Sequence, residues 1–226
     1  LGGQGRIESR AEIRRSTAGA YRLNVDIPMK GFSISGLTPK PWSPRDINLR
    51  AESELLFATN KQFIGVEDVV LEIEGLPSDL GLRNGKLLFG QEGIRKANIE
   101  LALRGDGAEL ATFGREAGVF TGDAPLSGNY SFELNFAFEE GGAQIEKLAL
   151  VSDALSITCS GNVRDTKIGR RLEVRGQLEA YFRKVSYLCE AFTGHRPNID
   201  GISRREFSLA LPLGKSDWWT KLRGAS

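Results

Sequence analysis

Most enzyme chemistry draws on histidine, cysteine or clustered metal ligands, and this chain has little of any. One histidine, His195, one methionine, Met29, and two cysteines, Cys159 and Cys189, are spread through 226 residues. The cysteine spacing fits no metal motif, and two thiols are too few for a disulfide scaffold. They are compatible with one bridge, Cys159 to Cys189, or with two small buried side chains, and the sequence leaves both open. Charge of one sign is lacking too: 30 Lys and Arg face 29 Asp and Glu, a formal net charge of +1. That balance argues against nucleic acid as a partner and against a polybasic patch for anionic head groups. No apolar run approaches the roughly 18 residues of a membrane-crossing helix, and no charged segment leads into the apolar core of a signal peptide.

Alternation is what the chain has in abundance. Tyr21, Leu23, Val25, Ile27 and Met29 share one parity, and Arg22, Asn24, Asp26 and Lys30 the other. Period two is the mark of a strand with one wet face. It recurs in Ile47, Leu49, Ala51 and Leu55, in Val69, Leu71 and Ile73, and in Ile99, Leu101 and Leu103. Arg6 to Arg14 reads as one further strand, and Pro28 marks an edge or a strand end. Tyr130, Phe132, Leu134, Phe136 and Phe138 make the most aromatic face, followed by a Glu-Glu-Gly-Gly hairpin turn at 139–142. Ile145, Leu148 and Leu150 then form its partner strand, before Leu155, Ile157, Cys159 and Val163, then Leu172, Val174 and Leu178, then Phe207 and Leu209. Ten to twelve strands spaced for an antiparallel meander are predicted.

The fold class expected is therefore all-β and mostly antiparallel, a curved, elongated amphipathic sheet or an open sandwich with one or two short helices. Helical spacing of Tyr181, Val185, Leu188, Cys189 and Phe192 predicts one helix, with Gly194 placed for a C-terminal cap. A second is predicted over Ser216 to Leu222. The segment 105–128 is Gly-rich, shows no pattern, and is the expected sub-unit boundary within a single module covering 1–226. The start at Leu1, and the echo between LGGQGRIES and the closing LRGAS, read as a piece of a longer, repetitive protein.

Site chemistry is sparse. Glu139 and Glu140 neighbour each other on a turn, whereas a catalytic carboxylate pair faces across a cleft. His195 follows a helix end and reads as a surface or capping residue. No catalytic residue, metal or cofactor is expected. The residues expected to line an apolar surface are Phe132, Leu134, Phe136, Phe138, Leu148, Leu150, Ile157, Leu172 and Val174. A chain of about sixteen carbons gains roughly 12 kcal/mol of gross driving force there, at about 0.8 kcal/mol per buried methylene. The rival readings are a structural or adhesive β-sandwich that binds a polymer or protein, and a hydrolase on a β scaffold.

The order of strand, Gly-Gly turn, IEKLALVS and LSITCSGNV resembles the repeating idiom of AsmA-like proteins of bacterial envelopes. The matching positions are Ile145, Leu148, Leu150, Ser152, Leu155, Ile157, Gly161 and Val163, with Trp218, Leu222 and Gly224 in the closing segment. The resemblance covers about the last hundred residues. It implies a segment of a large protein of the periplasm or cell envelope, anchored elsewhere by an N-terminal helix. Its sheets would form a groove for lipid acyl chains, used in lipid transport or outer-membrane assembly. Membrane contact would come through other parts of the full-length protein, and free sheet edges would allow self-association.

Overall fold

A computed structural model describes residues 2–16, 20–42, 45–90, 93–123, 125–139, 142–166 and 169–213. Among the described residues twelve strands follow one another: β1 (Gly2–Ile7), β2 (Arg10–Arg15), β3 (Ala20–Ser35), β4 (Arg45–Phe57), β5 (Phe63–Glu74) and β6 (Ser78–Gly90). Then come β7 (Gly93–Asp106), β8 (Asn129–Glu139), β9 (Gly142–Val151), β10 (Leu155–Thr166), β11 (Gly169–Tyr181) and β12 (Ile202–Leu213). Helix α1 (Gly107–Glu116) joins β7 to β8, and α2 (Phe182–Thr193) joins β11 to β12. Most other connections are short, so from β2 onward each strand pairs with the next and runs antiparallel to it. All twelve belong to one open sheet in the order β1-β3-β4 through to β12, with β2 also on β3. The expected single elongated sheet is therefore the architecture, and the open sandwich is not.

Arg6 to Arg14, expected to be one strand, is two. β1 pairs with Met29 to Ser35 and β2 with Tyr21 to Asp26, so both lie along β3 with a break between them. Pro28 faces the break and explains it. The proline has no N–H to offer a neighbour on that side, although its carbonyl accepts from the Glu8 N–H at 3.1 Å. Pro28 thus lies inside the second strand of the sheet, opposite a gap in the edge.

Parity changes within strands mark β-bulges. Ile145 is odd and Leu148 even, yet Ile145 opposes Phe136 and Leu148 opposes Leu134, because the register slips by one residue between them. Similar slips occur in β5 around Asp68 and in β6 around Asn84, both of which take a positive φ of 50°. Each bulge bends its strand and restores the apolar side chains to one face.

Both helices sit at the end of the sheet where β7, β9 and β11 finish. Helix α1 lies in the segment expected to be patternless; Asp106 followed by Glu109 was the available signal. The Asp106 carboxylate accepts from the N–H groups of Ala108 (2.8 Å) and Glu109 (3.2 Å). Helix α2 is where its periodicity predicts, and Gly194 closes it at φ 70°. Ala111, Phe120, Leu126 and Ala191 form a small core between the helices, joined by Leu110, Tyr187 and Leu188. The predicted helix over Ser216 to Leu222 lies outside the described residues.

Candidate functional site

Partners in register across an antiparallel pair point to the same face, so the register shows how far that face runs. Leu101 opposes Leu134, Leu134 opposes Leu148, Leu148 opposes Cys159, and Cys159 opposes Gly176, which opposes Phe207. In the other direction Leu101 opposes Leu82, then Leu71, Ala51 and Val25 follow. This row crosses ten strands, β3 to β12, without a charged residue. At about 4.8 Å per strand it is roughly 43 Å long. A second row, from Ile27 through Leu49, Ile73, Leu80, Leu103, Phe132, Leu150 and Ile157 to Leu178, runs beside it.

All nine residues expected to line an apolar surface fall on this one face. Phe132, Leu150 and Ile157 share one row, Leu134 and Leu148 the next, Phe136 and Val174 the third, and Phe138 and Leu172 the fourth. Eight are half-buried, while Phe138 is buried with Ala97 and Ala143. Half-burial is what flanking side chains alone provide. Among the described residues, helix α1 touches the sheet mainly beside β7 and α2 beside β11, and no element lies over the middle of the face. The accessible surface is 14933 Å², against roughly 10,000 Å² for a compact chain of this mass.

The opposite face carries the charges, paired across strands. Glu133 on β8 lies between Lys147 of β9 (2.5 Å) and Arg104 of β7 (3.4 Å). The hydrogen bond from Lys147, helped by its charge, holds the Glu133 carboxyl below the usual carboxylate range. Glu179 is held down likewise, by hydrogen bonds from Tyr181 (2.6 Å) and Arg204 (2.9 Å). These pairs are solvent-facing and lie on adjacent strands, so they set sheet register rather than shape an acid–base site.

Cys159 and Cys189 are both free. Cys159 stands on the apolar face of β10, where burial pushes its thiol up, and Cys189 belongs to α2, so the bridge left open by the sequence is not formed. Beside Cys159 the apolar face dips, because its register neighbour Gly176 and the nearby Gly161 bring no side chain. At the helical end the hydroxyl of Tyr130 reaches across Gly105 to hydrogen-bond with Ser78, a route a β-carbon at 105 would block. A cavity of about 290 Å³ lies next to it between the helices and the strand ends, walled by Leu110, Leu126, Tyr187 and the Asp153–Lys184 ion pair (2.9 Å). His195 is exposed just beyond the α2 cap. Among the described residues no group of His, Cys, Asp and Glu is placed to hold a metal, and no helix is long and apolar enough to cross a membrane.

Comparison of the chain with protein-family models, with curated proteins and with solved structures returns no match.

Proposed function

We propose that this chain is a non-enzymatic segment of an AsmA-like protein of the periplasm or cell envelope. Its open apolar face holds lipid acyl chains during lipid transport or outer-membrane assembly. The observation that carries this reading is the uninterrupted apolar row across ten strands, with no described element packed over it. Such a surface is costly in water unless something apolar comes to lie on it. An acyl chain suits it because alkyl chains need contact area and no particular polar partner. The gross gain of roughly 12 kcal/mol for about sixteen fully buried methylene groups is of the same order as the roughly 4–15 kcal/mol that association costs. The half-exposed Leu, Ile, Val and Phe side chains supply that area.

The test is retention of lipid. Purified protein analysed by mass spectrometry is expected to carry phospholipid or fatty acid. The delipidated protein is expected to bind a fluorescent fatty acid and to release it to competing lipid. A delipidated sample that is folded by circular dichroism yet binds no acyl probe would contradict the proposal.

A further inference from the structure

At the end of the sheet away from the helices, four aromatic rings form a connected row. Tyr21 is the second residue of β3, Phe57 closes β4, Phe63 opens β5 and Phe89 lies one residue from the end of β6. Their centroids are 5.6, 5.7 and 5.9 Å apart in turn, an edge-to-face chain that ends in a tilted pair. Phe57 and Phe63 are register partners, and Tyr21 shares its row with Leu55 and Val66. The rings therefore stand on the apolar face at its outer margin. Tyr21 is 39%, Phe63 44% and Phe89 40% exposed. Stacked rings of this kind are pre-ordered, so little conformational freedom remains to be lost when they meet a partner.

The sequence flanking the row has its own charge. Residues 15–21, 57–63 and 89–95 hold three cations, Arg15, Lys61 and Arg95, against one carboxylate, Glu92. All three cations are exposed and make no ion pair among the described residues, whereas Lys147 and Arg204 on the sheet's polar face, exposed as well, are spent on carboxylates. A contiguous apolar margin rimmed by unspent positive charge complements a surface with an apolar interior and an anionic skin. A two-fold pairing of the margin with a second copy would instead bring the cations of both chains together.

We propose that the margin of β3 to β6 seats this chain directly on an anionic lipid surface, with Tyr21, Phe63 and Phe89 in the head-group layer and Arg15, Lys61 and Arg95 against phosphate. This assigns membrane contact to the sheet itself. It does not depend on whether the apolar face beyond the margin retains single acyl chains.

Sedimentation with vesicles tests it. The chain is expected to pellet with phosphatidylcholine vesicles containing phosphatidylglycerol as the minority lipid, and far less with phosphatidylcholine alone or at high salt. The combined variant Tyr21→Ser, Phe63→Ser, Phe89→Ser is expected to lose at least about tenfold in vesicle affinity, while its circular dichroism stays that of the parent. Lys61→Glu, a single change on an exposed turn, is expected to weaken binding to the anionic vesicles several-fold, which keeps the proposal testable if the triple variant fails to fold. In Phe63→Trp, brominated acyl chains are expected to quench emission added over the parent protein. Absence of vesicle binding by the unmodified chain overturns the proposal. So does binding that survives these substitutions, or a dimer that the triple variant abolishes. Loss of fatty-acid uptake with vesicle binding intact would count against the acyl-holding face and leave the margin standing.

Discussion

Phe120 at the helical end and Phe63 and Phe89 at the turn margin of β5 and β6 are the same kind of side chain, treated in opposite ways. At the helical end Phe120 is 8% exposed, and its ring meets Phe192 edge-on at 4.7 Å among Leu126, Ala111 and Ala191. At the turn end Phe63 and Phe89 also meet a neighbouring ring, yet both stay open to solvent. Ring chemistry does not decide the outcome; the connection does. Ten- and twelve-residue helices between β7 and β8 and between β11 and β12 provide a second layer, whereas none is found at the other end among the described residues. A second layer closes off Phe120, while Phe138 at the turn end is buried by Ala97 and Ala143 and Phe192 at the helical end stays exposed.

Removing a ring from each end breaks this comparison most sharply. Phe120→Ala is expected to cost about 3–5 kcal/mol, the range for emptying an aromatic site in a closed core, read as a lower midpoint in urea. Hydrogen exchange should report the loss first in α2. An intermediate effect belongs to the middle of the face. Leu134→Asp is expected to abolish fatty-acid uptake while lowering stability by only about 1–2 kcal/mol, because a half-exposed carboxylate keeps much of its water. A loss above about 4 kcal/mol would mean that the face is a covered core. Phe63→Ala is expected to cost under about 1 kcal/mol, since nearly half of the ring is already in water.

The smallest effect is electrostatic and belongs to the polar face. Glu133 binds its proton less readily when folded than when unfolded, because Lys147 and then Arg104 favour the carboxylate. Its contribution is therefore complete above the ordinary carboxylate range and is lost as pH falls through the depressed folded value. Glu133→Gln is expected to flatten the acid limb of a stability-against-pH profile slightly, as befits solvent-screened pairs. A large flattening would move this pair from the surface into the group of interactions that hold the fold.

Alternation made most of the sheet legible in advance. The parity of Tyr21 to Met29, of Ile99 to Leu103 and of Phe132 to Phe138 matches the face each side chain occupies, because a strand has no other way to separate apolar from charged groups. Helix α2 was legible for the corresponding reason at helical spacing. Helix α1 was not: its buried positions are Gly107, Ala111 and Gly114, and glycine at two of the three argues against a helix, which left the Asp106 cap as the clearer sign. The division of the first strand depended on Pro28, whose effect falls on its neighbour rather than on its own strand. The nine apolar candidates lie on one face as parity requires, but Tyr21, Phe57, Phe63 and Phe89 could not be assembled from sequence. Their row exists only after the bulges at Asp68 and Asn84 have set the register between β5 and β6.

The most direct measurement is photo-crosslinking with a diazirine-bearing fatty acid, followed by peptide mapping of the intact, delipidated chain. Labels are predicted on the apolar face of β7 to β11, in peptides holding Leu101, Phe132 to Phe136, Leu148 to Leu150 and Ile157. Labelling confined to the cavity between the helices, or none above that of an unrelated β protein, would contradict the acyl-holding face.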